Sequence, residues 1–130
     1  MSPTMSSPKT GLLLFAHGAR DPRWAQPFEQ VAAAVRAARP AQPVRLAYLD
    51  FMRPDLRTAA AELAIEGCTH VDVLPLFLGA GGHVRQDLPL LLEELRERHA
   101  GIGFALHVAI GETPALIAAM AGIALSLPAR

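Results

Sequence analysis

Residues 11–16 read GLLLFA and are followed directly by His17 and Gly18. An uninterrupted apolar run of this length indicates a strand that is buried on both faces, as in the middle of a parallel sheet. Three more strands are predicted at residues 44–49 (VRLAYL), 71–78 (VDVLPLFL) and 104–108 (FALHV). Pro75 is unfavourable within the third of them, because proline cannot donate to a sheet ladder.

Helical patterns separate these strands. Apolar side chains recur at helical spacing between residues 24 and 38, which predicts the first helix. The second helix is predicted to open at Pro54 and stop at Gly67, the third to start at Asp87, and the fourth to begin near Pro114. Strands that alternate with helices imply an α/β fold in which a four-stranded parallel sheet is flanked by helices on both faces.

The composition is that of one globular domain. The chain has 130 residues, of which 52% are hydrophobic and 18% charged. We expect the domain at residues 11–130, preceded by a disordered Ser/Pro-rich tail at residues 1–10. The formal net charge of zero gives no reason to expect a nucleic acid partner, and no apolar run approaches the ~20 residues of a membrane helix. Because Cys68 is the only cysteine, no intrachain disulfide can form, and a cytoplasmic location is predicted.

Candidate ligands follow the predicted strands at one edge of the sheet. His17 comes after the first strand, Asp50 after the second, and His83 at the far end of the glycine-rich loop after the third. Open α/β sheets bind their ligands beyond these carboxyl ends. Two imidazoles and a carboxylate suit Fe, Co, Ni or Zn and leave coordination positions open, so the three residues are candidate metal ligands. His70 precedes the third strand and is expected at the opposite edge.

Each candidate also has a structural interpretation. His17 could be a hydrogen-bonding residue at a strand end, His83 a solvated loop residue, and Asp50 a loop cap. His107, near the carboxyl end of the fourth strand, is a further candidate for the same edge.

Several enzyme classes are disfavoured or remain as rivals. The glycine-rich loop lacks GxGxxG and the Walker Lys-Ser/Thr, and the chain has no GxSxG. A histidine-nucleophile phosphatase is one rival, because His17-Gly18 follows a strand, although Ala16 stands where those enzymes carry arginine. A non-catalytic metal carrier is another.

Four longer motifs are distributed along residues 11–124. They are LLLFAHGARDP at 12–22, LAYLDFMRP at 46–54, VLPLFLGAGGHVRQDLP at 73–89 and IGETP at 110–114. Together they resemble the short class II chelatases, the sirohydrochlorin cobaltochelatases and ferrochelatases of CbiX or SirB type. The third motif is long and specific.

The resemblance implies a lyase with defined site residues. His17 and His83 match the family's metal-binding and catalytic histidines, and Asp50 falls where many members carry a metal-binding glutamate. Ala19 replaces the usual serine. The implied reaction inserts Co²⁺ or Fe²⁺, with Ni²⁺ as an alternative, into a sirohydrochlorin-type tetrapyrrole of cobalamin or siroheme biosynthesis. The metal is then a substrate, and no organic cofactor is implied. A non-catalytic carrier of metal or tetrapyrrole is the alternative to this lyase. Chains of this length in the family typically pair as homodimers, which the apolar C-terminal helix would suit.

Substrate contacts can be predicted from the chemistry of such a ring. Its many carboxylates call for arginine, whose planar fork binds a carboxylate in a bidentate manner. The arginines expected near the carboxyl edge are Arg20, Arg23, Arg53 and Arg85. An apolar edge and the glycine-rich loop are predicted to lie under the flat ring: Phe77, Leu78, Gly79, Ala80, Gly81 and Gly82.

Overall fold

A four-stranded parallel sheet forms the centre of the computed structural model, which describes residues 8–79 and 81–130 and, for His83, the backbone alone. Its strands are β1 (Thr10–Ala16), β2 (Val44–Tyr48), β3 (His70–Pro75) and β4 (Gly103–Leu106). The spatial order is β2-β1-β3-β4, and all three pairings are parallel. The predicted fold class is confirmed.

Three of the four helices pack against this sheet and flank both of its faces, as predicted. The helices are α1 (Gln26–Ala38), α2 (Leu56–Ile65), α3 (Gly82–Arg98) and α4 (Pro114–Leu125). Because side chains alternate along a strand, Leu13 and Phe15 of β1 join a core under α2 and α3, whereas Leu14 and Ala16 join a core under α1. All four side chains are at most 1% exposed, so the central strand is buried on both faces.

The first two helices start differently from the sequence prediction. The first helix opens with a 3₁₀ turn, Pro22–Ala25, before α1 continues it. The second begins at Leu56 rather than at Pro54, because the Asp55 side chain caps it by accepting a hydrogen bond from the Thr58 amide at 2.8 Å.

The third helix differs more. It begins at Gly82, five residues before Asp87, so His83 lies in its first turn and not in the preceding loop. Pro89 suggested a helix start, since proline favours the first turn, but here it lies in the helix interior. The leucines at the predicted apolar positions of α3 do face the core: Leu88, Leu91, Leu92 and Leu95.

Strand ends also shift. β3 ends at Pro75, three residues before the predicted end, and β4 runs over Gly103–Leu106 rather than 104–108. At the amino terminus β1 already includes Thr10, and the Lys9 carbonyl accepts a hydrogen bond from the Thr69 amide at 2.8 Å. Lys9 and Thr10 thus take part in the sheet end of the domain, and residues 1–7 of the predicted tail lie outside the described residues.

Helix α4 follows the last strand through a short 3₁₀ turn, Ile110–Glu112. It is apolar around its whole circumference, yet none of its residues is buried; Ile117 is 52% and Ile123 69% exposed. Among the residues that the structure describes, no helix is long and apolar enough to cross a membrane.

Candidate active site at the carboxyl edge

The loops after β1 and β2 are joined through their backbones. The Leu49 amide donates to the Ala16 carbonyl at 2.9 Å, and the Asp50 amide donates to the His17 carbonyl at 3.0 Å. These bonds continue the β1–β2 pairing one step beyond the strands. The structure thus brings together His17 and Asp50, two of the three predicted metal ligands.

Gly18 allows these loops to approach so closely. Its φ is +86°, and a Cβ built there would lie 1.9 Å from the Asp50 carbonyl oxygen. Any other side chain would meet both this backbone atom and the strain of a left-handed conformation. The glycine after His17 is therefore required by the contact with the Asp50 loop.

The His17 imidazole lies against an aromatic ring of the core. Its centroid is 4.1 Å from that of Phe77, with the planes inclined by 32°. Phe77 is 1% exposed, whereas His17 is exposed. From the sequence, Phe77 was predicted to lie under the substrate ring. Because Phe77 is buried, it supports the His17 imidazole, and a ligand at this edge would contact the imidazole.

The first turns of α3 face the Asp50 loop across a cavity of about 420 Å³. Asp50 and Leu49 line one side, and Val84 and Asp87 line the other. The backbone of His83 lies in the same turn as Val84, so α3 starts at the edge where His17 and Asp50 lie. The side chain of His83, the third predicted ligand, lies outside the described residues, as does Ala80.

The loop between β3 and α3 leaves open space around its glycines. A Cβ at Gly79, Gly81 or Gly82 would meet no atom of the described chain within 4 Å. Leu78 in the same loop is 68% exposed. Packing within the described chain therefore does not require glycine at these positions. A ligand can approach the backbone closely here.

Two of the four predicted arginines are paired with carboxylates, and the other two line a groove or lie over an aromatic ring. Arg23 forms a bidentate pair with Asp21, with distances of 2.8 and 3.2 Å, and this hydrogen bond lowers the pKa of the Asp21 carboxyl. Arg85 donates to Glu112 at 3.1 Å. Arg53 lines a larger groove beside β2, of about 1010 Å³, and Arg20 lies over the Phe51 ring with its Cζ 5.0 Å from the ring centroid.

Two other histidines share a carboxylate, and this cluster was not recognised from the sequence. Asp72 on β3 accepts hydrogen bonds through Oδ1 from His107 Nε2 at 2.8 Å and from His70 Nε2 at 3.1 Å. The hydrogen bond from His107 is the main reason why the pKa of the Asp72 carboxyl is lowered. His70 and Asp72 are two residues apart and so share a strand face, which was visible in the sequence. The approach of His107 was not.

The described side chains do not by themselves form a metal centre. Apart from the side chain of His83 and the other residues left undescribed, no three His, Cys, Asp or Glu side chains converge in a group that could hold an ion.

Comparison with known proteins places the chain in a family. The CbiX family pattern matches residues 11–123. The chain belongs to the CbiX family. The sirohydrochlorin cobaltochelatase of Methanothermobacter thermautotrophicus is 34% identical over 85 residues, which is 65% of this chain and 59% of that protein. The protein of the same name from Sulfurisphaera tokodaii is 33% identical over 86 residues, 66% of this chain and 70% of its own length.

Solved structures agree with the family assignment. A CbiX protein from Marinobacter aquaeolei VT8 superimposes with a TM-score of 0.79 at 32% identity, covering 89% of this CbiX-family chain and 94% of its own. The sirohydrochlorin chelatase SirB from Bacillus subtilis subspecies spizizenii, in complex with cobalt, superimposes with a TM-score of 0.78 at 22% identity and shares the fold. This chain spans about half of SirB, 51% of its length.

Proposed function

We propose that this CbiX-family chain is a chelatase, a lyase that inserts Co²⁺ or Fe²⁺ into sirohydrochlorin. The observation that carries the proposal is the His17 imidazole, held exposed against Phe77 beside the Asp50 loop. Relatives named sirohydrochlorin cobaltochelatase support the reaction, and the cobalt and Fe³⁺ forms of SirB support a metal of this class. Ni²⁺ is a further metal to test, and the reaction needs no organic cofactor.

Metal insertion makes three physical demands. The ion must shed water and sit near the ring face, the pyrrole N–H protons must leave, and the ring must bend so that its nitrogens point at the ion. A neutral imidazole can coordinate an ion or accept a proton, but the same nitrogen cannot do both at once. We propose that metal binds first to His17 and His83, with Asp50 as a third ligand, and that one histidine takes a proton as its metal bond is lost.

Positioning is the second contribution of the site. An ion held face to face with the ring reacts in an effectively unimolecular step. Phe77 supports this by restricting the His17 imidazole, and the open glycines at 79, 81 and 82 leave room for a flat ring. We assign the substrate carboxylates to Arg20 and Arg53, with Arg23 and Arg85 contributing if they exchange their present carboxylate partners.

The reaction is tested with an anaerobic absorbance assay. Sirohydrochlorin is mixed with Co²⁺, Fe²⁺ or Ni²⁺ in parallel, with and without protein. We expect the initial rate to rise in proportion to protein concentration with at least one of the metals. A carrier would bind metal or ring stoichiometrically without this rate increase, and that result would contradict the proposal. Hydrolysis of an aryl phosphate would instead support the phosphatase rival, which Ala16 disfavours.

We also propose that two copies of the chain pair through α4. Twelve apolar-rich residues without a buried member favour association, because burial of apolar surface contributes about 25 cal/mol per Å². Two copies would also reach the length of SirB. Sedimentation should give a dimer for the wild type and a monomer for Ile117→Glu/Ile123→Glu. Ile65→Glu, at a position on α2 that is 86% exposed, is the matched control and should remain dimeric. A monomeric wild type would remove this proposal without affecting the reaction.

A further inference from the structure

The loop after β2 presents an aromatic side chain at the carboxyl edge. Its two ends meet, because the Tyr48 amide donates to the Pro54 carbonyl at 2.9 Å. Near the apex the Met52 amide donates to the Asp50 carbonyl at 2.8 Å, and Phe51 between them has a φ of 68°. A bond from residue i+2 to residue i around a positive φ is a γ-turn of the rare, strained kind. Phe51 is nevertheless 65% exposed, so burial does not compensate the strain.

This turn is built onto the His17 loop. The Asp50 residue that begins it donates its amide to His17 and packs its carbonyl against Gly18. The position of Phe51 is thus set relative to the imidazole by backbone contacts. A strained conformation that is fixed beside the candidate ligands is stronger evidence for a functional role than the exposure of Phe51 alone.

Arg20 is the partner that this ring holds. Its Cζ lies 5.0 Å from the centroid of Phe51. Within the described chain its guanidinium has neither a hydrogen bond nor an ion pair, in contrast to Arg23 and Arg85. A guanidinium placed over an aromatic ring uses its face, so its N–H donors at the edge remain available to a carboxylate.

We propose that Phe51 is a positioning residue that holds the Arg20 guanidinium ready for a peripheral carboxylate of the tetrapyrrole substrate. The inference rests on the proposed function, since it assumes a ring with carboxylate side chains. Its physical basis is preorganisation: a side chain already restricted in the free protein loses less conformational entropy on binding. The turn strain is then part of what aims the ring at Arg20.

The test measures binding in the absence of metal. Uroporphyrin, an octacarboxylate porphyrin that is stable in air, serves as the probe beside sirohydrochlorin, and the shift of its absorbance band gives the Kd. Arg20→Ala and Phe51→Leu should each weaken binding by about 3- to 10-fold. The double variant should be no weaker than Arg20→Ala alone, because Phe51 acts through that side chain. Phe51→Tyr should restore near wild-type affinity.

Three further variants separate positioning from folding. Phe51→Gly relieves the positive φ, so it should leave the fold intact while weakening binding as Phe51→Leu does. Arg39→Ala and Ile65→Ala are surface controls near the carboxyl-terminal ends of α1 and α2, and they should leave binding unchanged. In the metallation assay the rise in KM for Phe51→Leu should exceed any fall in kcat.

The outcomes distinguish this inference from the proposed function. If the wild type binds the probe but does not metallate sirohydrochlorin, the reaction is wrong and the binding test still stands. If the wild type metallates and the Arg20 and Phe51 variants bind normally, only this inference is overturned. Additive losses in the double variant would also overturn it, because the two residues would then act independently. A wild type that binds neither tetrapyrrole would overturn both.

Discussion

His17 and His107 both follow a strand of the same sheet, yet their imidazoles have different surroundings. His17 packs against the buried ring of Phe77 and stays exposed, and within the described residues no carboxylate is hydrogen-bonded to it. His107 donates Nε2 to Asp72, which also accepts from His70. One imidazole is oriented by an aromatic face and the other by a carboxylate.

The two contacts differ in whether they occupy a nitrogen of the imidazole ring. Packing against an aromatic ring fixes the plane of an imidazole but occupies neither ring nitrogen. A hydrogen bond to a carboxylate occupies one nitrogen and fixes which of them carries the proton. Among the described residues no carboxylate is hydrogen-bonded to either nitrogen of His17, so the nitrogen that carries no proton is open to a ligand, whereas the Asp72 cluster ties β4 to β3.

The largest expected effect separates the two histidines by rate. His17→Ala should lower kcat for metal insertion by at least about 100-fold, because it removes the proposed metal ligand and the proposed proton acceptor together. His107→Ala should change kcat by less than about twofold. Both are measured by anaerobic absorbance after circular dichroism has shown that the variants fold. Equal losses in the two variants would mean that the comparison does not describe function.

A smaller effect is expected from the aromatic support. Phe77→Leu keeps the core apolar but removes the face against which His17 packs, so kcat should fall about tenfold through loss of orientation. Phe104→Leu is the matched control, since Phe104 is buried in the same core, 6% exposed, and is not in contact with His17. Urea unfolding should show losses of about 1–2 kcal/mol in both variants, with the rate reduced only in Phe77→Leu. A rate loss shared by both variants would indicate that looser packing of the core, and not the orientation of His17, lowers kcat.

The smallest effect concerns the Asp72 cluster and pH. The hydrogen bond from His107, and to a smaller extent that from His70, holds the pKa of the Asp72 carboxyl below its ordinary value. The carboxylate thus contributes stability that is fully present above about pH 4, and this contribution is lost as pH falls through the lowered pKa. Asp72→Asn should cost about 0.5–1 kcal/mol at pH 6, since the side chain is 33% exposed and solvent screens it.

Measurement of that cost needs urea unfolding of both proteins between pH 6 and pH 2.5. The gap between wild type and Asp72→Asn should close on acidification, while metallation at neutral pH stays the same. A gap that persists at the lowest pH would assign the stability to packing and not to the carboxylate.

The sequence predicted the sheet and part of the site for identifiable reasons. The continuous apolar run of β1 could only be a doubly buried central strand, and consecutive parallel strands had to bring His17 and Asp50 to one edge. The start of α3 was missed because Pro89 resembled a first-turn proline. The Asp72 cluster depends on the register that pairs Asp72 with Ala105 and lets His107 reach back, and no local pattern encodes it. The positive φ of Phe51 was equally hidden, because phenylalanine rarely adopts it.

Helix α4 has a consequence for how the protein behaves on dilution. A domain that carries its most apolar helix on the outside has its stability linked by mass action to the concentration of whatever covers that helix. Coverage by a second copy makes the melting temperature rise with the amount of protein in the sample. If a second copy is that cover, dilution would uncover the helix and leave an exposed apolar surface prone to nonspecific association.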